Sequence, residues 1–231
     1  MTKTVVITGA NRGIGLELVK CYLNDGGWQV IASCRNPEGA DALKTLSASN
    51  AQLEIAQLDV SDANSIAAFK TELGVRTIDV LVNNAGIIGG DKQSFGSIDY
   101  DDWMHTLLVN SLSPIRVTEA LIDNVRESEN GKIVSISSQL GAMQYQTRGR
   151  YAYNTSKAAL NRALTLLANE LRAENVAVGM YHPGWVQTDM GGAAADITPP
   201  KSAAGLFNCF NALSLETTGE FKNWNGTTHA W

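Results

Sequence analysis

Along nearly all of this chain, short runs rich in β-branched residues alternate with amphipathic stretches. Few folds produce that pattern. Parallel strands need a long connection, usually a helix, and a sheet covered by helices on both faces leaves its strands no polar side. The runs at 4–8, 29–33, 52–58, 78–82, 132–137 and 176–181 have this character, and 219–222 reads as a seventh strand. The spacing therefore predicts a Rossmann-type doubly wound α/β fold with a seven-stranded parallel sheet. At 231 residues the chain suits one such domain, spanning 1–231, better than two.

Composition narrows the function by exclusion. A net charge of -5, with Lys and Arg scattered, offers no footprint for a nucleic-acid backbone. Neither a signal-peptide core nor an apolar run of membrane-spanning length is present, so the expectation is a cytoplasmic protein with no membrane partner. Cys21, Cys34 and Cys209 are widely spaced and form no C-x-x-C, which suits reduced thiols. His105, His182 and His229 are equally dispersed, and no metal site is expected.

The first strand runs directly into Gly9-Ala10-Asn11-Arg12-Gly13-Ile14-Gly15 and then a helix with Ile14, Leu18 and Tyr22 at helical spacing. Glycines there let backbone approach a pyrophosphate, while free N–H groups and the helix dipole attract its charge. The spacing is G-x-x-x-G-x-G rather than G-x-G-x-x-G, and its place after the first strand favours a nucleotide over an unliganded turn. At the end of the second strand an NAD-preferring site would carry an acid, but Cys34 and Arg35 stand there. Arg12 and Arg35 together could embrace a 2′-phosphate, so NADP(H) is favoured over NAD(H), with Glu38 nearby as the opposing consideration. Asp59, followed by Val60, closes the third strand and could accept a bond from an adenine amino group or cap the next helix. The fourth ends in Asn83-Asn84-Ala85-Gly86, another small-residue turn; Asn83 serves equally well as a tie between strands.

Chemistry points to the stretch 151–157. In a helix, Tyr153 and Lys157 are four apart and share a face, where an ammonium can stabilise a phenolate. Tyr151 lies at the wrong distance from Lys157. The fifth strand delivers Ser138, whose hydroxyl can donate to the same carbonyl oxygen as Tyr153; alternation places Ser137 on the opposite side. No G-x-S-x-G elbow makes it a nucleophile. Residues 100–125 read as one long helix in which Pro114 deprives the Asn110 carbonyl of its partner, predicting a kink and a place for a water near Lys157. After the sixth strand, Pro183-Gly184 breaks the chain, Thr188 could bond a carboxamide, and Trp185 and Met190 are candidates for a pocket wall. Gly191 to Ala195 looks able to fold over a ligand.

Taken together, TGANRGIG, LDV, NNAG, the Asn110 position, SISS, YNTSK and HPGWVQT resemble the short-chain dehydrogenase/reductase superfamily, in order and over essentially the whole chain. YAYNTSKAALN, HPGWVQTDMGG and NWNG…AW are similar to the C-factor and sniffer-like carbonyl reductase branch. The resemblance implies strand order 3-2-1-4-5-6-7 and a catalytic set falling on Asn110, Ser138, Tyr153 and Lys157. It implies cofactor contacts at Gly9, Asn11, Arg12, Gly13, Ile14, Gly15, Arg35, Asp59, Val60, Asn84, Ala85, Gly86, Tyr153, Lys157, Pro183, Gly184, Val186 and Thr188. Residues 184–215 then form a short substrate-binding loop and helix. The loop between Ser138 and Tyr153 is long for the superfamily, which adds Gln144 and Tyr145 to the pocket candidates and leaves Arg148 and Arg150 as features of this branch. The implied substrate is a small carbonyl or alcohol, and Lys157 would depress the tyrosine pKa. Association into a homodimer or tetramer is expected, with a monomer as the alternative. Two other functions are weighed: a nucleotide-binding signalling protein of C-factor type, and epimerase or dehydratase chemistry, from which the short chain and the G-x-x-x-G-x-G spacing point away.

Overall fold

The structure is a computed structural model and describes residues 2–231. Seven parallel strands form one sheet: β1 Lys3–Thr8, β2 Trp28–Cys34, β3 Leu53–Gln57, β4 Val80–Asn83, β5 Lys132–Ile136, β6 Ala177–His182 and β7 Phe221–Asn223. Their order is β3-β2-β1-β4-β5-β6-β7, as the resemblance implies. Helices α1 Gly13–Asp25, α2 Asp41–Ser47 and α7 Pro199–Ala212 cover one face, and α3 Ala63–Leu73, α5 Ser113–Arg126 and α6 Tyr151–Leu171 the other. Successive strand residues point to opposite faces, so each strand feeds two cores. Val5 and Ile7 pack with Leu18, Tyr22 and Phe210, while Val6 packs with Phe69, Leu121 and Leu164. This double burial explains why β1 and β4 carry no polar alternation.

The boundaries shift by only a residue or two from expectation, except in the segment read as one helix. It is instead α4 Tyr100–Leu107, a π-helical turn Leu108–Leu112, and then α5. Pro114 enters at the first turn of α5, where its missing N–H costs least. The Ser113 N–H reaches back to the Leu108 carbonyl instead. The extra residue in the turn brings Val109, Asn110 and Ser111 inward together, which uninterrupted α-helix does not do for three consecutive side chains. Among the described residues no helix is long and apolar enough to cross a membrane.

Candidate functional site

A cleft of about 660 Å³ opens at the C-terminal ends of the strands, where β1 and β4, adjacent in the sheet, lead to helices on opposite faces. Its floor is the glycine turn. Gly9 and Gly13 have positive φ, and a Cβ on Gly15 would stand 2.5 Å from the Gly9 carbonyl oxygen and 2.6 Å from Asn84 Nδ2. The turn is closed from the other side by Asn84, whose Nδ2 donates to the carbonyls of Thr8 and Gly9 at 2.9 and 3.0 Å. Thr8 Oγ1 accepts from the N–H groups of Asn84 and Ala85, both at 3.0 Å. The α1 N-terminus has no side-chain cap and no acid in its first turn. Its first residues, Gly13, Ile14 and Gly15, line the cleft at the dipole's positive end, which fits a pyrophosphate.

Beyond the turn, Arg35, Asp59 and Val60 line the cleft. Burial opposes ionisation of Asp59, but the hydroxyl and N–H of Ser61, with Arg35 and His105, hold its carboxyl below the ordinary value. Ser61 Oγ donates to it at 2.6 Å and the Ser61 N–H at 2.9 Å. Arg12 pairs with an acid at the surface, a contact that a 2′-phosphate would compete for. Its Nη1 lies 2.5 Å from Asp189 Oδ2 across the mouth of the cleft, both side chains largely exposed.

The four proposed catalytic side chains come from three elements; Ser138 and Asn110 are not among the residues that line the cleft, whereas Ser137 is. Tyr153 and Lys157, one turn apart on α6, are both buried and line the cleft. The Ser138 hydroxyl sits beside the Tyr153 phenol and favours its charged form, while Ser137 donates to Asn161 on α6 and is thereby occupied elsewhere. Asn110 is fully buried, with Oδ1 accepting from the Ile87 N–H at 2.9 Å and Nδ2 donating to the Ile87 carbonyl at 2.8 Å and to Ser156 Oγ at 3.0 Å.

One expectation is corrected. Burial dominates at Tyr153 and raises its pKa; Ser138 and the Arg150 cation partly offset that, and Lys157 is not among the lowering groups. The reason is geometric: Lys157 Nζ lies 6.0 Å from the tyrosine ring centroid and donates to the Ile136 carbonyl at 2.9 Å. Tyr153 therefore holds its proton at neutral pH.

Burial also brings the Lys157 pKa down from 10.5 to about 8. Because the folded value is the lower, the unfolded chain binds more protons between those two values, and this residue's contribution to stability rises with pH there. Tyrosines raised by burial act oppositely above about pH 10, so the informative quantity is a difference. The unfolding free energy of the wild type minus that of Lys157→Met should climb between about pH 8 and 10 by on the order of 2 kcal/mol. Denaturant titrations across that range check it, and a flat difference would refute the buried cation.

Of the expected cofactor contacts, Gly184 and Val186 do not line the cleft. A Cβ on Gly184 would meet Ile197 Cδ1 at 2.3 Å and the Trp224 ring, so this glycine serves packing. Val186 is buried and bridges to Ile197. Among the pocket candidates Met190 borders the cleft. Trp185 donates to the Gly191 carbonyl at 2.8 Å, and Gln144 and Tyr145 lie on the exposed loop after Ser138. Thr8, Gln93, His182 and Asp189 also support the site, and no sequence pattern singled them out as doing so. A hydroxyl ending the first strand was a usable signal for Thr8. His182, pushed down to about 4 by burial and then by His229, accepts the Gln139 N–H on Nδ1 at 3.3 Å and so braces the turn after Ser138.

The glycine cradle, the Ser-Tyr-Lys convergence and the sheet order define a nucleotide-dependent oxidoreductase scaffold, and residues 3–197 match the short chain dehydrogenase family, to which this chain belongs. The chain is similar to carbonyl reductase Sniffer of D. melanogaster, at 32% identity and a TM-score of 0.93 over 100% of both chains. It is likewise similar to an NADPH-bound carbonyl reductase from chicken fatty liver, at 31% identity and a TM-score of 0.94 over 100% of this chain and 99% of the other. The C-signal protein of Myxococcus xanthus is 38% identical over 165 residues, 71% of this chain and 99% of that one.

Proposed function

We propose that this chain is an NADP(H)-dependent carbonyl reductase acting on an aldehyde, ketone or quinone. The observation that carries this is the buried Tyr153, protonated and flanked by the Ser138 hydroxyl at the edge of a cleft whose glycine floor fits a dinucleotide. Gly9, Asn11, Arg12, Gly13, Ile14 and Gly15 would hold the pyrophosphate, Asp59 and Val60 the adenine, and Asn84 to Gly86 the nicotinamide half. Thr188 would bond the carboxamide. When bound, the nicotinamide supplies the hydride. Ser138 and Tyr153 both donate to the carbonyl oxygen, and their bonds strengthen as that oxygen gains charge. Tyr153 then gives up its phenolic proton to the alkoxide. Lys157, still largely protonated at neutral pH and lining the cleft, would hold the nicotinamide ribose. Asn110 keeps the Ile87 backbone, and with it the Asn84 to Gly86 turn, at a fixed distance from Lys157. Residues 184–215 close the substrate side, with Met190 as a wall.

The similar carbonyl reductase with bound NADPH supports the phosphate-bearing cofactor, and Arg35, which lines the cleft at the end of β2, would be its partner, with Arg12 shared with Asp189. Consumption of NADPH and NADH across a panel of aldehydes, ketones and quinones tests the reading. Arg35→Asp should raise KM for NADPH by about 10- to 100-fold, the worth of a charge-assisted bond, and leave KM for NADH nearly unchanged. An unchanged NADPH preference would remove Arg35 from this role. Similarity to C-signal favours a second reading, a cofactor-binding signalling protein. NADPH binding without consumption of any carbonyl in the panel would select it.

A further inference from the structure

We infer that Gln93, in the loop between β4 and α4, is the positioning residue that sets the catalytic tyrosine, by capping α6 from sixty residues away. The first N–H groups of a helix need partners outside it, and a Ser, Thr, Asp or Asn just before the first turn usually supplies one. Before α6 stand Gly149 and Arg150. Arg150 is left-handed, at φ 53, and its side chain makes no capping bond. The cap comes instead from Gln93. Its backbone carbonyl accepts the Tyr151 N–H at 3.1 Å, and its side-chain Oε1 accepts the N–H of Tyr153 itself at 3.0 Å.

The amide is in turn held. Gln93 is buried, and its Nε2 donates to the carbonyls of Ile88 at 2.8 Å and Gly90 at 2.7 Å. The Gly90 N–H donates to Asp102 Oδ2 at 2.8 Å, and Ile87 is clamped on both backbone groups by Asn110. A continuous set of bonds thus runs from Asn110 through Ile87, the 88–90 backbone and Gln93 to the backbone of Tyr153. Gln93 does not line the cleft. It acts on the reaction by setting where the first turn of α6, and with it Tyr153, begins. A misplacement of about 1 Å at a reacting group can cost on the order of 10²-fold in rate.

This inference rests on Tyr153 being the proton donor, and the experiment separates the two. Gln93→Met keeps the volume and removes the amide. Its kcat for carbonyl reduction should fall by about 10-fold or more, while NADPH affinity, read by fluorescence titration, stays within about 2-fold. In a Tyr153→Phe background the same substitution should cause no further loss, because residues acting as a unit are not additive. Equal losses in both backgrounds, or a weakened NADPH affinity, would mean a general structural role and overturn the inference. Should Gln93→Met fail to fold, Gln93→Asn keeps an amide but draws it back by one methylene from the Tyr153 N–H, and should lower kcat by about 3-fold or more with NADPH affinity within about 2-fold; an unchanged kcat there overturns it as well. Full turnover in Tyr153→Phe alone would instead defeat the assignment of the acid.

Discussion

Tyr153→Phe should lower kcat for carbonyl reduction by about 10²-fold or more while leaving NADPH affinity nearly unchanged. The substitution removes one oxygen and keeps the ring. That ring is buried on the first turn of α6, a helix whose position is maintained by Gln93 and by packing of Leu160 and Leu164 in the core, so the loss is chemical rather than structural. Ser138 would still donate to the carbonyl oxygen in the variant, but no protonated group would replace the phenol. Burial raises the Tyr153 pKa, which keeps the proton on the wild-type enzyme at neutral pH. Turnover measured with saturating NADPH, alongside a fluorescence titration of cofactor binding, checks both halves. Near wild-type kcat would show that the proton comes from elsewhere.

Gly15→Ala should be nearly as damaging, through a different route. The added Cβ would lie 2.5 Å from the Gly9 carbonyl oxygen, which is backbone, and 2.6 Å from Asn84 Nδ2. Asn84 cannot move aside without surrendering its bonds to Thr8 and Gly9, the bonds that hold the β1 and β4 turns together. Overpacking of this kind costs about 1–3 kcal/mol, and a lowering of Tm by about 2–12 °C follows for a chain of this size. Because the displaced turn is the one expected to hold the pyrophosphate, NADPH affinity should drop by about 10-fold or more. Thermal melts with and without NADPH separate the two losses. Unchanged stability and affinity would show that the glycine turn can yield, and that close backbone approach is not required there.

The contrast between Gly15 and Gly184 shows why a motif needs its surroundings. Both belong to recognisable turns at strand ends, yet Gly15 shapes the cleft and Gly184 makes room for Ile197 and Trp224. Ser137 and Ser138 show the same limit in milder form. Alternation along a strand places them on opposite sides, but only the position of Asn161 on α6 reveals which hydroxyl is already occupied.

By itself the sequence determined the parallel sheet, its two helical layers, the glycine turn and the placing of Tyr153 and Lys157 on one face of α6. Each is written in local periodicity: doubly buried strands lose their polar alternation, and helical spacing stacks residues four apart. Tertiary structure alone decided the form of the break before Pro114, a π turn that brings Asn110 and Ser111 inward together. It also decided that burial, not Lys157, governs the phenol, that Asp189 engages Arg12, and that Gln93 caps α6. All of these depend on which groups meet across tens of residues of chain and on how much water is left between them. Such facts are set by packing, and no local pattern records them.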